Sequence, residues 1–90
     1  HIEELEGVMS HEKALQQCGK YLDSIGIAAD KRSACDSTGN AAKAVAKLGP
    51  SVKIGAIAPR MAAQKYGLEI LAEGIQDATN NKTTFILLQN

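Results

Sequence analysis

Apolar positions in this chain come in short bursts separated by helical stripes. After a polar opening, Gly7-Val8-Met9 reads as a short strand. Ser10 then suits a helix N-cap, with His11 and Glu12 in the first turn. Ala14, Leu15, Cys18, Leu22 and Ile25 recur at helical spacing and predict one apolar face, while Glu12, Lys13, Lys20 and Asp23 fall on the polar one. Gly26 stops this helix. Ile27 to Ala29 predict a second short strand, and Ser37 or Thr38 caps the next helix. Its buried face is Ala41, Ala42, Val45 and Leu48, small enough on the whole to let a sheet approach closely, and Gly49-Pro50 ends it. Val52, Ile54, Ala56 and Ile57 make the best central strand, with Gly55 permitting close packing. Pro59 suits the first turn of a third helix, where its missing N–H costs nothing. Met61, Ala62, Lys65 and Tyr66 continue that helix to Gly67, and Ile70-Leu71-Ala72 is another short strand. A polar loop leads to "NNKTTFILLQN", where Phe85 to Gln89 read as the last strand and Thr83 and Thr84 stand at its entrance.

Strands alternating with helices predict an α/β fold, a mostly parallel sheet with helices on both faces. A helical bundle would need residues 52–58 to be helical, and Gly55 and Pro59 oppose that. Ninety residues make a single domain, 1–90. Ten Lys and Arg balance ten Asp and Glu, and the aromatics are one Phe and two Tyr. That composition argues against nucleic acid as a partner, since its recognition needs excess cations and usually stacking rings. No apolar run is long enough to span a bilayer, so no membrane partner is expected. Cys18 and Cys35 make neither a disulfide framework nor a metal site. They read as two reduced thiols of a cytosolic protein, and a Cys18–Cys35 bridge belongs only to an oxidising compartment. The opening "HIEELEG" shows no signal peptide, and without an initiator Met it reads as a cut or processed end. Asn81-Lys82-Thr83 is a glycosylation sequon that matters only on secretion.

Candidate chemistry sits at three strand-to-helix turns: Ser10-His11, Ser37-Thr38 and Pro59-Arg60. Right-handed crossovers place all three at the carboxyl edge of the sheet, where ligands of open α/β sheets bind. Helix N-termini there describe a rim suited to a carboxylate or phosphate. Each residue has a plainer reading beside this one. Ser10 and Ser37 read as helix caps, and His11 and Arg60 as solvated surface residues. The glycine patterns of phosphate-binding loops are missing, as is a His/Cys metal cluster.

Four stretches resemble the prephenate dehydratase family. "SHEKALQQC" (10–18) is similar to its Ser-His-Pro-Gln-Ala-Leu-x-Gln-Cys signature, with Glu12 where Pro is usual. "DSTGNAAKAVA" (36–46) resembles its Ser-Thr-x-x-Ala-Ala segment. "GAIAPRMAAQKYGLEILAEGIQD" (55–77) is similar to the block that ends Leu-Ala-x-x-Ile-Gln-Asp, with a flavour of plant arogenate dehydratases. "NNKTTF" (80–85) resembles Asn-x-Thr-Arg-Phe, with Thr84 in place of Arg. The resemblance implies one lobe of a type II periplasmic-binding-protein-like fold, with substrate held in a cleft between two lobes. It implies conversion of prephenate to phenylpyruvate, or of arogenate to phenylalanine, with no metal or organic cofactor. By the same resemblance Thr83 is the catalytic proton donor to the leaving hydroxyl, and Ser10, His11, Ser37, Thr38 and Phe85 face the substrate.

Two departures bear on function. Thr84 removes a guanidinium that could pair with a substrate carboxylate. The family's first lobe, with its glycine-rich turn and Asn-Ser segment, finds no counterpart in these residues, nor is a regulatory ACT domain read in them. One reading is therefore a dehydratase lobe that acts when completed by the missing lobe. The alternative is a catalytically inactive module that binds a small carboxylic acid or a protein partner. The expected partners are a small carboxylate and either the first lobe or a second copy of the chain. The resemblance implies a cytoplasmic or plastid location, and the inactive module extends to a secreted form.

Overall fold

The computed structural model describes residues 5–49, 51–76 and 84–89. Its strands are β1 (Gly7–His11), β2 (Arg32–Cys35), β3 (Ile54–Ala58), β4 (Glu69–Glu73) and β5 (Ile86–Gln89). Its helices are α1 (Glu12–Gln17), α2 (Gly19–Ser24), α3 (Thr38–Leu48) and α4 (Arg60–Tyr66), with a 3-10 turn at Ala29–Lys31. The strands form one sheet in the order β2-β1-β3-β5-β4. β1 pairs in parallel with both β2 and β3, whereas β5 is antiparallel to its neighbours β3 and β4. Four strands therefore run one way, and β5 alone returns between β3 and β4. The mostly parallel α/β architecture expected from the sequence is present, consistent with one lobe of a periplasmic-binding-protein-like fold.

Each face of the sheet carries its own core, because alternate strand residues point to opposite sides. Val8, Ile57 and Leu87 pack with Ala14, Leu15, Cys18 and Leu22 from α1 and α2. Ala56, Ala58, Ile86 and Leu88 pack on the other face with Ala41, Ala42 and Val45 of α3 and Ala62 and Ala63 of α4. The alanines do what their size allows: Ala41 and Ala42 are fully buried where α3 lies against the sheet. Leu48, expected on that face, is instead exposed at the end of α3. Met61 of α4 is also exposed, and Ala62 and Ala63 carry the contact. Cys18 and Cys35 are not joined in a disulfide and pack on opposite faces of the sheet.

Three local expectations change. The first helix is interrupted at Cys18, whose backbone (φ −110°, ψ 15°) leaves helical geometry just before Gly19. Hydrogen bonds from Cys18 N to Ala14 O (3.1 Å) and from Leu22 N to Cys18 O (3.0 Å) carry the turn through, so the predicted apolar stripe still reaches the core. The second strand is Arg32–Cys35 and not Ile27–Ala29. Ile27 is buried, but it packs beneath the sheet edge rather than joining it. β2 is an edge strand whose Ser33 and Ala34 are exposed, so it needs no apolar alternation to mark it. Arg32 fixes its start, donating from Nε (3.0 Å) and from an Nη (2.6 Å) to Ile27 O while pairing with Asp23. The central strand begins at Ile54 rather than Val52. Within it Gly55 fills the role expected of it, since a Cβ there would lie 2.9 Å from Leu88 O on β5.

Candidate functional site

The carboxyl ends of β1, β2, β3 and β4 and the entrance of β5 share one edge of the sheet. The register fixes this: His11 lies opposite Cys35, Ala58 opposite Ile86, and Glu73 opposite Ile86. Along that edge, in sheet order, come Asp36 with Ser37 and Thr38, then His11, Arg60, Thr84 with Phe85, and Glu73. Thr83, the proposed acid, lies outside the described residues, immediately ahead of Thr84.

Ser10 is not a helix cap. It is the fourth residue of β1, fully buried on the same side as Val8, and its hydroxyl donates to Ile57 O at 2.6 Å. The strand runs two residues further than its apolar stretch suggested, to His11, and a buried hydroxyl must find an acceptor. The capping role passes to His11, whose Nδ1 accepts from Lys13 N at 3.1 Å. An accepting Nδ1 leaves the imidazole its proton on Nε2. Ser37 does cap α3, accepting from Asn40 N at 3.0 Å, and half-buried Thr38 opens that helix. The rim thus gathers His11, Ser37, Thr38 and Phe85, while Ser10 braces β1 against β3 beneath it.

Residues not singled out by sequence hold the return strand in place. Phe85 N donates to Gln76 Oε1 (3.2 Å), and Ile75 N donates to Phe85 O (3.3 Å). This clamp ties Ile75 and Gln76 to Phe85 and sets where Thr84 enters the rim. Phe85 itself packs against the core beneath α1 and α2. Glu73, at the end of β4, forms an ion pair with Arg60 at the start of α4. Both contacts depend on the antiparallel β5 lying between β3 and β4, which no local pattern in the sequence announces. Cys35 sits at the rim as a poor nucleophile: burial, then the neighbouring Asp36 charge, raise its thiol above its ordinary value, so it stays protonated near neutral pH. Beside the rim, an open groove of about 600 Å³ runs from Thr38 and Pro59 along α4 to Lys65, with exposed Met61 among its lining residues.

By fold and rim this is a mixed α/β lobe that collects polar side chains beyond the carboxyl ends of a mostly parallel sheet. A family model for prephenate dehydratase matches residues 1–90, and the chain belongs to that family. It is 44% identical over 86 residues to arogenate dehydratase/prephenate dehydratase 1, chloroplastic, of Arabidopsis thaliana, covering 96% of this chain and 21% of that protein. It is 41% identical over 85 residues to the prephenate dehydratase of Bacillus subtilis, covering 94% of this chain and 29% of that one. A solved structure described as GqqA, a novel type of quorum quenching acylase, superposes with a TM-score of 0.79 at 26% identity, over 99% of this chain and 30% of that chain. The chain therefore spans less than a third of the length of each of these proteins.

Proposed function

We propose that this chain is the second lobe of a prephenate or arogenate dehydratase, converting prephenate to phenylpyruvate, or arogenate to phenylalanine, once a first lobe completes the cleft. The observation that carries this reading is the convergence of the family's separated motifs on one sheet edge. His11, Ser37 and Thr38, and Thr84 with Phe85 come from segments far apart in sequence, and the register gathers them. In the reaction, the bond from the ring to its carboxylate breaks, carbon dioxide leaves, and the released pair aromatises the ring. Hydroxide leaves from the opposite ring carbon, and the Thr83 hydroxyl delivers the proton that makes it water. Ser37 and Thr38 offer hydroxyls to the substrate, His11 offers Nε2–H, and Phe85 supports the ring. Ser10 acts from below, by holding β1 to β3. A half-cleft cannot exclude water, so turnover by the lobe alone is negligible. The open rim is the surface for the first lobe or a second copy. A plastid location accompanies this reading, in line with the chloroplastic name of the Arabidopsis relative.

The second reading, an inactive carboxylate-binding module, draws on Thr84, which stands where the family motif has Arg. The likeness to an acylase shows that this architecture also serves other chemistry, so fold alone does not decide between them. A chimera does. This lobe replaces the corresponding stretch of the Bacillus subtilis enzyme, and phenylpyruvate formation is followed. The dehydratase reading expects turnover that Thr83→Ala removes. A folded chimera without turnover, still silent after Thr84→Arg, supports the inactive module instead.

A further inference from the structure

The return strand β5 enters the rim between β3 and β4, and the Arg60–Glu73 ion pair crosses that entrance. Arg60 begins α4 two residues beyond Ala58, and Thr84 precedes Ile86 by two. Ala58 and Ile86 are partners in the antiparallel ladder, so Arg60 and Thr84 leave the same rung on adjacent strands. Glu73 is the partner of Ile86 on the other side. A guanidinium reaching from the β3 side to the β4 side therefore passes across the place where Thr84 stands.

From this juxtaposition we propose that Arg60 is the carboxylate-binding residue of the rim, taking over the charge that Thr84 does not supply, with Glu73 as its partner while the site is empty. The inference rests on the dehydratase reading for the identity of the ligand, but not for the existence of the site. Three observations carry it. The first is that a carboxylate already pairs with Arg60, that of Glu73, so the guanidinium can meet a carboxylate at this point of the rim. The second is exposure: the two side chains are 61% and 47% accessible. An ion pair that open to water is weak and gives way to a competing carboxylate at small cost. The third is chemistry. Only a planar guanidinium offers paired N–H donors that match a carboxylate, and Thr84 cannot replace them. Among the described residues the edge also carries Asp36, at the end of β2 with β1 between it and β3, and Glu12, which opens α1 after β1, but the acid that pairs with Arg60 is Glu73.

The test is calorimetric titration of the 90-residue chain and its variants with prephenate, with succinate as a plain dicarboxylate and the methyl ester of phenylpyruvate as an uncharged control. Arg60→Gln should weaken prephenate binding about tenfold or more, the loss expected for a charge-assisted pair. Arg60→Lys should fall between, because it keeps the charge and loses the fork. Glu73→Gln should tighten binding about threefold by releasing Arg60 from its resting partner. A residue that only supported the fold would not produce that gain. The methyl ester should respond to none of these changes. Prephenate binding that survives Arg60→Gln within twofold would overturn the proposal while leaving the dehydratase reading in place. Arg60-dependent binding of succinate without any response to prephenate would support the site and remove the dehydratase reading. No response of the wild-type chain to either acid would overturn the proposed site, and turnover by the chimera then decides the dehydratase reading separately.

Discussion

At the scale of single residues, neighbours in sequence have opposite tasks. Ser10 and His11 are adjacent, yet one is sealed in the sheet and the other caps a helix at its edge. Asparagine separates the two roles, being a strong N-cap but larger than serine. Ser10→Asn should destabilise the fold by about 2 kcal/mol, since the buried slot cannot accept the extra volume. His11→Asn should cost little, and His11→Ala about 1 kcal/mol for the lost cap. Urea unfolding of the three variants checks this, and a tolerated Ser10→Asn would restore Ser10 to the cap. Cys35 gives a pH prediction. Its thiol, and the Tyr21 phenol, are both raised by burial above ordinary values of 9.0 and 10.0. The folded chain therefore holds these protons more tightly than the unfolded chain does. Their contribution is fully present at neutral pH and is lost as the pH rises through the alkaline range. Alkylation of Cys35 should be slow near pH 7 and accelerate above pH 9, measured by mass spectrometry; fast labelling at pH 7 would contradict the raised thiol.

At the scale of elements, the close contact of β3 with β5 sets the geometry of the rim. A methyl group at Gly55 would press on the Leu88 carbonyl, which belongs to backbone and cannot swing aside. Gly55→Ala should cost about 1–3 kcal/mol and disturb the Ala56–Leu88 pairing. The Gln76 side chain clamps the start of β5. Gln76→Ala should speed amide exchange at Phe85 while leaving core amides such as Ile57 unchanged, and uniform acceleration would mean global destabilisation instead. Much of this level was legible in the sequence. Apolar stripes located α1 with α2, α3 and β3, because those elements bury one face against a sheet. β2 was misplaced because an edge strand with exposed Ser33 and Ala34 leaves little hydrophobic trace. The Arg60–Glu73 pair was not legible either, since nothing local tells that β5 turns back between β3 and β4. Ser10 failed as a cap through propensity alone, which cannot see that a strand continues.

At the scale of the whole molecule, two cores on either side of one sheet make the lobe a rigid platform with its polar side chains on a single edge. Family membership accounts for the motifs found along this edge, and the role proposed for Arg60 answers to the Thr84 that stands where the family motif has Arg. Recognition of prephenate by this edge is checked by amide-resolved NMR titration of the 90-residue chain. Shifts are expected at His11, Ser37, Thr38, Arg60, Thr84 and Phe85, with the core amides of α2 and the Lys65 end of the α4 groove unmoved. Shifts centred on Met61 and Lys65 in that groove, or none at millimolar prephenate, would contradict it.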